Sequence, residues 1–183
     1  MLKTPIQFSE YIERVCLPLE PANDISYLQG RDVQIVGYGR NKEDDKTETY
    51  TLREVELKVY SRTFCNDQHN IINVGKNKED IINDAFPNPP SSTSVFKNDQ
   101  FCSGTSNSEE GLCQGDSGAP ALYREDPSQP FVQYGVLHGS VGENCNSKDF
   151  PSIFLRTDDP TVMNWMTNVM AQSKFIFFII PMF

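Results

Sequence analysis

The stretch Gly111-Leu112-Cys113-Gln114-Gly115-Asp116-Ser117-Gly118-Ala119-Pro120 constrains this chain more than any other. Ser117 stands between Gly115 and Gly118, and glycine, lacking a Cβ, lets a turn bring its backbone close to a bound molecule. Such a turn suits an acyl-transfer nucleophile: the hydroxyl attacks a carbonyl while neighbouring N–H groups hold the developing oxyanion. Asp116 sets a carboxylate beside the hydroxyl, and Cys113 can anchor the loop through a disulfide. The strand-to-helix elbow of α/β-hydrolases needs Gly-x-Ser-x-Gly, and Ala119 occupies the position of its second glycine.

Composition narrows the rest. The 183 residues suffice for one domain with a real core, and a hydrophobic content of 38% argues against wholesale disorder. A net charge of −9 with no Lys/Arg cluster argues against binding a phosphate backbone, so no nucleic-acid partner is expected. Five cysteines leave at least one thiol without a partner inside the chain. Met1–Glu10 mixes charges without an apolar run and so does not read as a secretory signal. Taken alone that points to the cytosol, where disulfides rarely persist, and it conflicts with the cysteine pattern.

Along the chain, the signals are those of β-structure. Asp32–Gly39 (Asp-Val-Gln-Ile-Val-Gly-Tyr-Gly) reads as a strand running into a glycine-bounded turn. Thr51–Tyr60 alternates Leu52, Val55, Leu57 and Val59 with Arg53, Glu56 and Lys58, a half-buried strand with a slip between Leu52 and Val55 that predicts a bulge. Ala121–Tyr123 and Phe131–His138 predict two more strands around a polar turn. Residues 73–97, rich in Asn, Lys, Asp, Pro and Ser, predict a solvated surface insertion, with His69 in the polar loop before it. Asp158-Asp159-Pro160 predicts a helix start, followed by the apolar stripe Val162, Trp165, Met166 and Val169. Residues 173–183 form a short apolar tail, far short of the ~20 residues needed to span a bilayer.

The Gly111–Pro120 string resembles the nucleophile loop of the chymotrypsin/trypsin-like (S1) serine proteases. Val15-Cys16-Leu17-Pro18 is similar to the segment joining that family's two β-barrels, and Gly37-Tyr38-Gly39 to the end of its next strand. Pro151–Thr157 and the helix after it also resemble family elements. The resemblance implies an all-β fold for residues 1–172: the C-terminal antiparallel β-barrel of the two-barrel fold, with a C-terminal helix. It implies Ser117 as nucleophile, Gly115 with Ser117 as oxyanion-hole donors, and Asp116 as the carboxylate that orders the loop by pairing, in active relatives, with the N-terminal amine released by zymogen cleavage. It implies disulfides Cys65–Cys102 and Cys113–Cys145, with Cys16 left over. It implies a substrate pocket formed by Gly111, His138 and Ser152. Gly111 stands where relatives that select Arg or Lys have an aspartate, so an apolar or small substrate side chain is expected. Neither a metal nor a cofactor is implied, the substrate is a protein or peptide, and the setting is extracellular.

One element of the chemistry is missing from this pattern. A serine needs a general base and a carboxylate to orient that base. The two histidines, His69 and His138, do not stand in the family's Ala-Ala-His-Cys setting. In the family that base lies in the N-terminal barrel, which this sequence does not contain. The expectation is therefore a serine endopeptidase domain lacking its first half and inactive as it stands. The alternative is a non-catalytic homologue acting as an interaction or regulatory module.

Overall fold

The structure is a computed structural model, and it describes residues 6–40, 51–73, 97–105, 111–140 and 151–172. Its strands are β1 (Asp32–Gly37), β2 (Arg53–Val59), β3 (Gln100–Gly104), β4 (Pro120–Tyr123), β5 (Val132–Ser140) and β6 (Ser152–Arg156). Among the described residues, a 3-10 turn at Ser26–Leu28 and the α-helices α1 (Arg62–Asn73) and α2 (Pro160–Gln172) accompany them. The strands close into an antiparallel barrel in the order β1-β2-β3-β6-β5-β4, with β4 returning to pair with β1. The barrel and its terminal helix are the architecture that the sequence pattern predicts.

Alternation explains which residues fill the interior. Val33 and Ile35 of β1, Leu57 and Val59 of β2, Phe101 of β3, Ala121 of β4, Leu137 of β5 and Phe154 of β6 form one core cluster, while Glu54, Glu56 and Lys58 face solvent. Each of these side chains larger than that of Ala121 contributes about 1.5–3 kcal/mol by leaving water. Phe101 and Phe154, opposite each other in the β3–β6 register, stack with their centroids 5.0 Å apart. Gly135 lies beneath this pair, and a Cβ there would come within 2.7 Å of the Phe101 ring.

Two local predictions need correction. The β1–β2 register runs unbroken from Gly37↔Arg53 to Asp32↔Lys58, so there is no bulge between Leu52 and Val55. Leu52 simply precedes the strand and is exposed. His69 falls within α1 rather than in a loop, because the chain turns helical directly after Ser61. The Ser61 hydroxyl accepts from the Phe64 N–H at 3.2 Å, a cap at the helix start. Of residues 73–97, only the helix end and Lys97 lie within the described residues, and the 173–183 tail lies outside them.

Helix α1 is fixed by a disulfide from Cys65 to Cys102 of β3, packed with Tyr60 and Ile153. Closing a loop of that length restricts the unfolded chain by about 4 kcal/mol in the chain-entropy account. Helix α2 starts as the sequence predicts: Asp159 Oδ1 accepts from the N–H groups of Thr161 at 2.9 Å and Val162 at 3.3 Å, with Pro160 at the first helical position. Its stripe divides, however. Val162 and Met166 are half-buried, whereas Trp165 (64% exposed) and Val169 (46%) face outward.

At the far end of β6 a buried ion pair holds the incoming chain. Arg156 binds Asp158 through both Nε and Nη2 at 3.0 Å, with the two side chains 0% and 1% exposed. The guanidinium also donates to the carbonyls of Ala22 and Asn98 at 2.8 Å each. Asp158 accepts in addition from the Tyr27 hydroxyl at 2.6 Å. With its remaining hydrogen-bonding capacity met, this pair escapes the penalty of an isolated buried charge.

Candidate active site

The nucleophile-like loop bridges the end of β1 and the start of β4. Gly115 (φ +98°) and Gly118 (φ +89°) take left-handed backbone conformations on either side of Asp116 and Ser117, which accounts for both glycines. The resulting double turn sends consecutive side chains in opposite directions: Ser117 outward into solvent, Asp116 inward to 8% exposure.

Backbone hydrogen bonds pin the loop from both sides. The Asp116 N–H donates to the Cys113 carbonyl at 3.1 Å, and the Ala119 N–H to the Asp116 carbonyl at 2.8 Å. The Gly118 N–H donates to the Leu137 carbonyl at 2.9 Å, and the Leu137 N–H to the Ala119 carbonyl at 2.8 Å. The Arg40 N–H donates to the Gln114 carbonyl at 2.9 Å. Among the described residues, no acceptor takes the N–H of Gly115 or of Ser117. The loop thus leaves two donors open beside an exposed serine while satisfying those at positions 116, 118 and 119.

Asp116 reaches back to the end of β1. Its Oδ1 accepts from the Gly39 N–H at 2.7 Å and its Oδ2 from the Cys113 N–H at 3.0 Å. The carboxylate occupies the space where a side chain at Gly37 or Gly39 would stand: a Cβ there would lie 2.3 Å or 2.2 Å from its atoms. Gly115 fits against Gly39 as well, its own would-be Cβ 3.2 Å from the Gly39 Cα. The Gly-Tyr-Gly string was legible as a turn, but its role in receiving Asp116 was not. The signal was two glycines one residue apart at a strand end, with Tyr38 between them 57% exposed.

The other predicted site residues are placed as follows. Gly111 leads into Leu112, which is buried in the barrel core. His138 sits where the β5–β6 register shifts between Leu137 and Gly139, so it has no opposing residue on β6. Its side chain is exposed, one residue beyond the carbonyl that receives the Gly118 N–H. Ser152 begins β6, 6% exposed, opposite Ser103 of β3 and Ser140 of β5. Cys113 is disulfide-bonded, and its expected partner Cys145 lies outside the described residues. Cys16 carries a free, exposed thiol, and its carbonyl accepts from the Gln133 N–H at 2.9 Å. Among the described residues no side chain hydrogen-bonds the Ser117 hydroxyl, and no group of three His, Cys, Asp or Glu side chains is arranged to hold a metal ion.

Comparison with known proteins agrees with this geometry. The family model described as Trypsin matches residues 1–166. The chain is 26% identical over 186 residues to the clotting factor G beta subunit of Tachypleus tridentatus, covering 100% of this chain and 53% of that protein. It is also 26% identical over 156 residues to the serine protease filzig of Drosophila melanogaster, covering 85% of this chain and 8% of that protein. The chain therefore spans about half the length of the first relative and a small part of the second. A glycine-flanked, outward-facing serine on a closed six-stranded antiparallel barrel, with a family match over nearly the whole chain, places it in the trypsin-like (S1) serine protease family.

Proposed function

We propose that this chain is the nucleophile-bearing part of a serine endopeptidase. Ser117 attacks the scissile carbonyl carbon, and the N–H groups of Gly115 and Ser117 bind the oxyanion. The observation that carries this reading is the pair of open N–H donors, at Gly115 and Ser117, beside an exposed Ser117, in a loop where the N–H groups of Cys113, Asp116, Gly118 and Ala119 are bonded. In the first step the Oγ–C bond forms as the hydroxyl proton passes to a general base. In the second, the C–N bond breaks as that base returns the proton to the departing amine. Water then releases the acyl group from Ser117 by the same pair of steps.

The base and the carboxylate that orients it are supplied by chain preceding these residues. The 53% coverage of the clotting factor G beta subunit supports this, since a large part of that relative lies outside the match. The 183 residues alone are then inactive. Substrates are proteins or peptides, and the setting is extracellular, as for a clotting factor. Gly111 brings no carboxylate to the pocket, and an unpaired buried cation would cost several kcal/mol, so side chains selected there are apolar or small. Cleavage profiling of the longer protein with a peptide library tests this. Cuts after apolar or small residues, abolished by Ser117→Ala, are expected, and cuts confined to Arg or Lys would refute the pocket assignment.

A second reading has its own observation, the absence of any described base at the Ser117 hydroxyl. In it the chain is a non-catalytic homologue that binds a partner. It predicts that Ser117→Ala leaves every activity of the longer protein intact.

A further inference from the structure

Alternation along β3 and β6 sets a polar rung next to the aromatic one. Phe101 and Phe154 stack inside the barrel, while Cys102 and Ile153 turn to the opposite face and pack with the α1 disulfide. The next pair in register, Ser103 and Ser152, therefore returns to the inner face. Both are buried, to 0% and 6% exposure, and Ser140 of β5 is the next residue across in the same register. The rung lies at the barrel end that holds the nucleophile loop, since β5 receives the Gly118 N–H at Leu137 and then runs on to Ser140. The Ser103 hydroxyl is sealed from solvent and has no hydrogen-bond partner among the described residues. Buried hydroxyls are ordinarily paired, and one left unpaired is costly.

We propose that Ser103 is a specificity-determining residue: with Ser152 it forms a hydroxyl pair that receives the end of a small, uncharged, hydrogen-bonding substrate side chain, such as that of Thr or Asn. The inference rests on the proposed function, because it needs the peptide that Ser117 would cleave and takes Ser152 as a pocket residue. Opposed residues of an antiparallel pair have Cβ atoms about 4.5–5.5 Å apart, so one polar atom entering between two serines bonds both hydroxyls. A hydroxyl both donates and accepts, which suits a substrate hydroxyl or carboxamide equally. A charged side chain would be buried against neutral partners and is disfavoured. Val and Leu match Thr and Asn in shape but leave Ser103 unpaired, and a site built to hydrogen-bond a group discriminates against the analogue lacking it. Ser152, the more exposed of the two, meets the incoming side chain first, and Ser103 lies behind it.

Two measurements test this without turnover. In the longer protein carrying Ser117→Ala, peptides ending in Thr, Val, Asn or Leu are titrated by calorimetry. Thr is expected to bind about tenfold or more tighter than Val, and Asn than Leu, and adding Ser103→Ala should remove both differences. Equal affinities within each pair, absence of binding included, would overturn the proposal, as would a preference that survives Ser103→Ala. In the 183-residue chain, Ser103→Ala should leave the urea midpoint unchanged or raise it, because no bond is lost with the hydroxyl. A lowered midpoint would reveal an internal partner for Ser103 and overturn the proposal as well. Since neither measurement depends on acyl transfer, a Ser117 that fails to attack would count against the proposed function and leave the hydroxyl pair standing.

Discussion

Tyr27 ties the segment entering the barrel to the Arg156–Asp158 pair, and its ionisation should report on that tie. Burial first, and then the hydrogen bond to Asp158, push its phenol far above the usual tyrosine range. Tyr134, its ring in edge contact with Tyr27, is raised as well, chiefly by burial. A folded-state pKa above the unfolded value of about 10 means the protonated form is favoured by folding. The associated stability is complete below pH ~10 and falls as pH rises above it. Denaturant titrations from pH 8 to 11 should show that loss, and Tyr27→Phe should flatten it. Removing one partner of the buried pair is a larger change. Asp158→Ala leaves the Arg156 guanidinium uncompensated and should cost about 3–5 kcal/mol, read as a fall in the urea midpoint. Neither Tyr27 nor this pair stood out in the sequence, because a bond linking residue 27 to residue 158 exists only once the barrel closes. Ser117 did stand out, since its chemistry is local and its flanking glycines announce a turn.

Among the elements, the strands were legible wherever alternation is strict, as in Arg53–Val59, whose apolar residues all enter the core side. Helix α1 was not legible. Its sequence, Arg62–Asn73, is mostly polar, and among the described residues its link to the sheet is a disulfide that exists only once Cys65 meets Cys102 of β3. Replacing both Cys65 and Cys102 by alanine should therefore destabilise the fold by about 2–5 kcal/mol and free α1 first, seen as loss of helical signal before barrel unfolding. The start of α2 was legible because Asp159-Pro160 is a local capping signal. Asp159→Ala should cost about 1 kcal/mol, measured in the same urea titration. The outward turn of Trp165 and Val169 could not be foreseen, because a helical stripe reveals a face without revealing what covers it.

For the whole molecule, those two side chains are not the only exposed apolar ones among the described residues. Ile6, Phe8, Tyr11, Ile12 and Leu19 in the leading segment are between 47% and 87% exposed. Exposed apolar residues in this number mark a surface that seeks a partner. The 183-residue chain alone is expected to self-associate in sedimentation velocity at micromolar concentration, and a sharp monomeric boundary would argue against that. The preceding half proposed above is the partner that would cover this surface and bring a base to Ser117. Fluorophosphonate labelling measures that dependence most directly, because it reports an activated serine. The account predicts no labelling of the 183-residue chain at the rate of an active protease, and rapid labelling, lost in Ser117→Ala, once the preceding half is supplied. Rapid labelling of the 183-residue chain by itself, at Ser117, would contradict it.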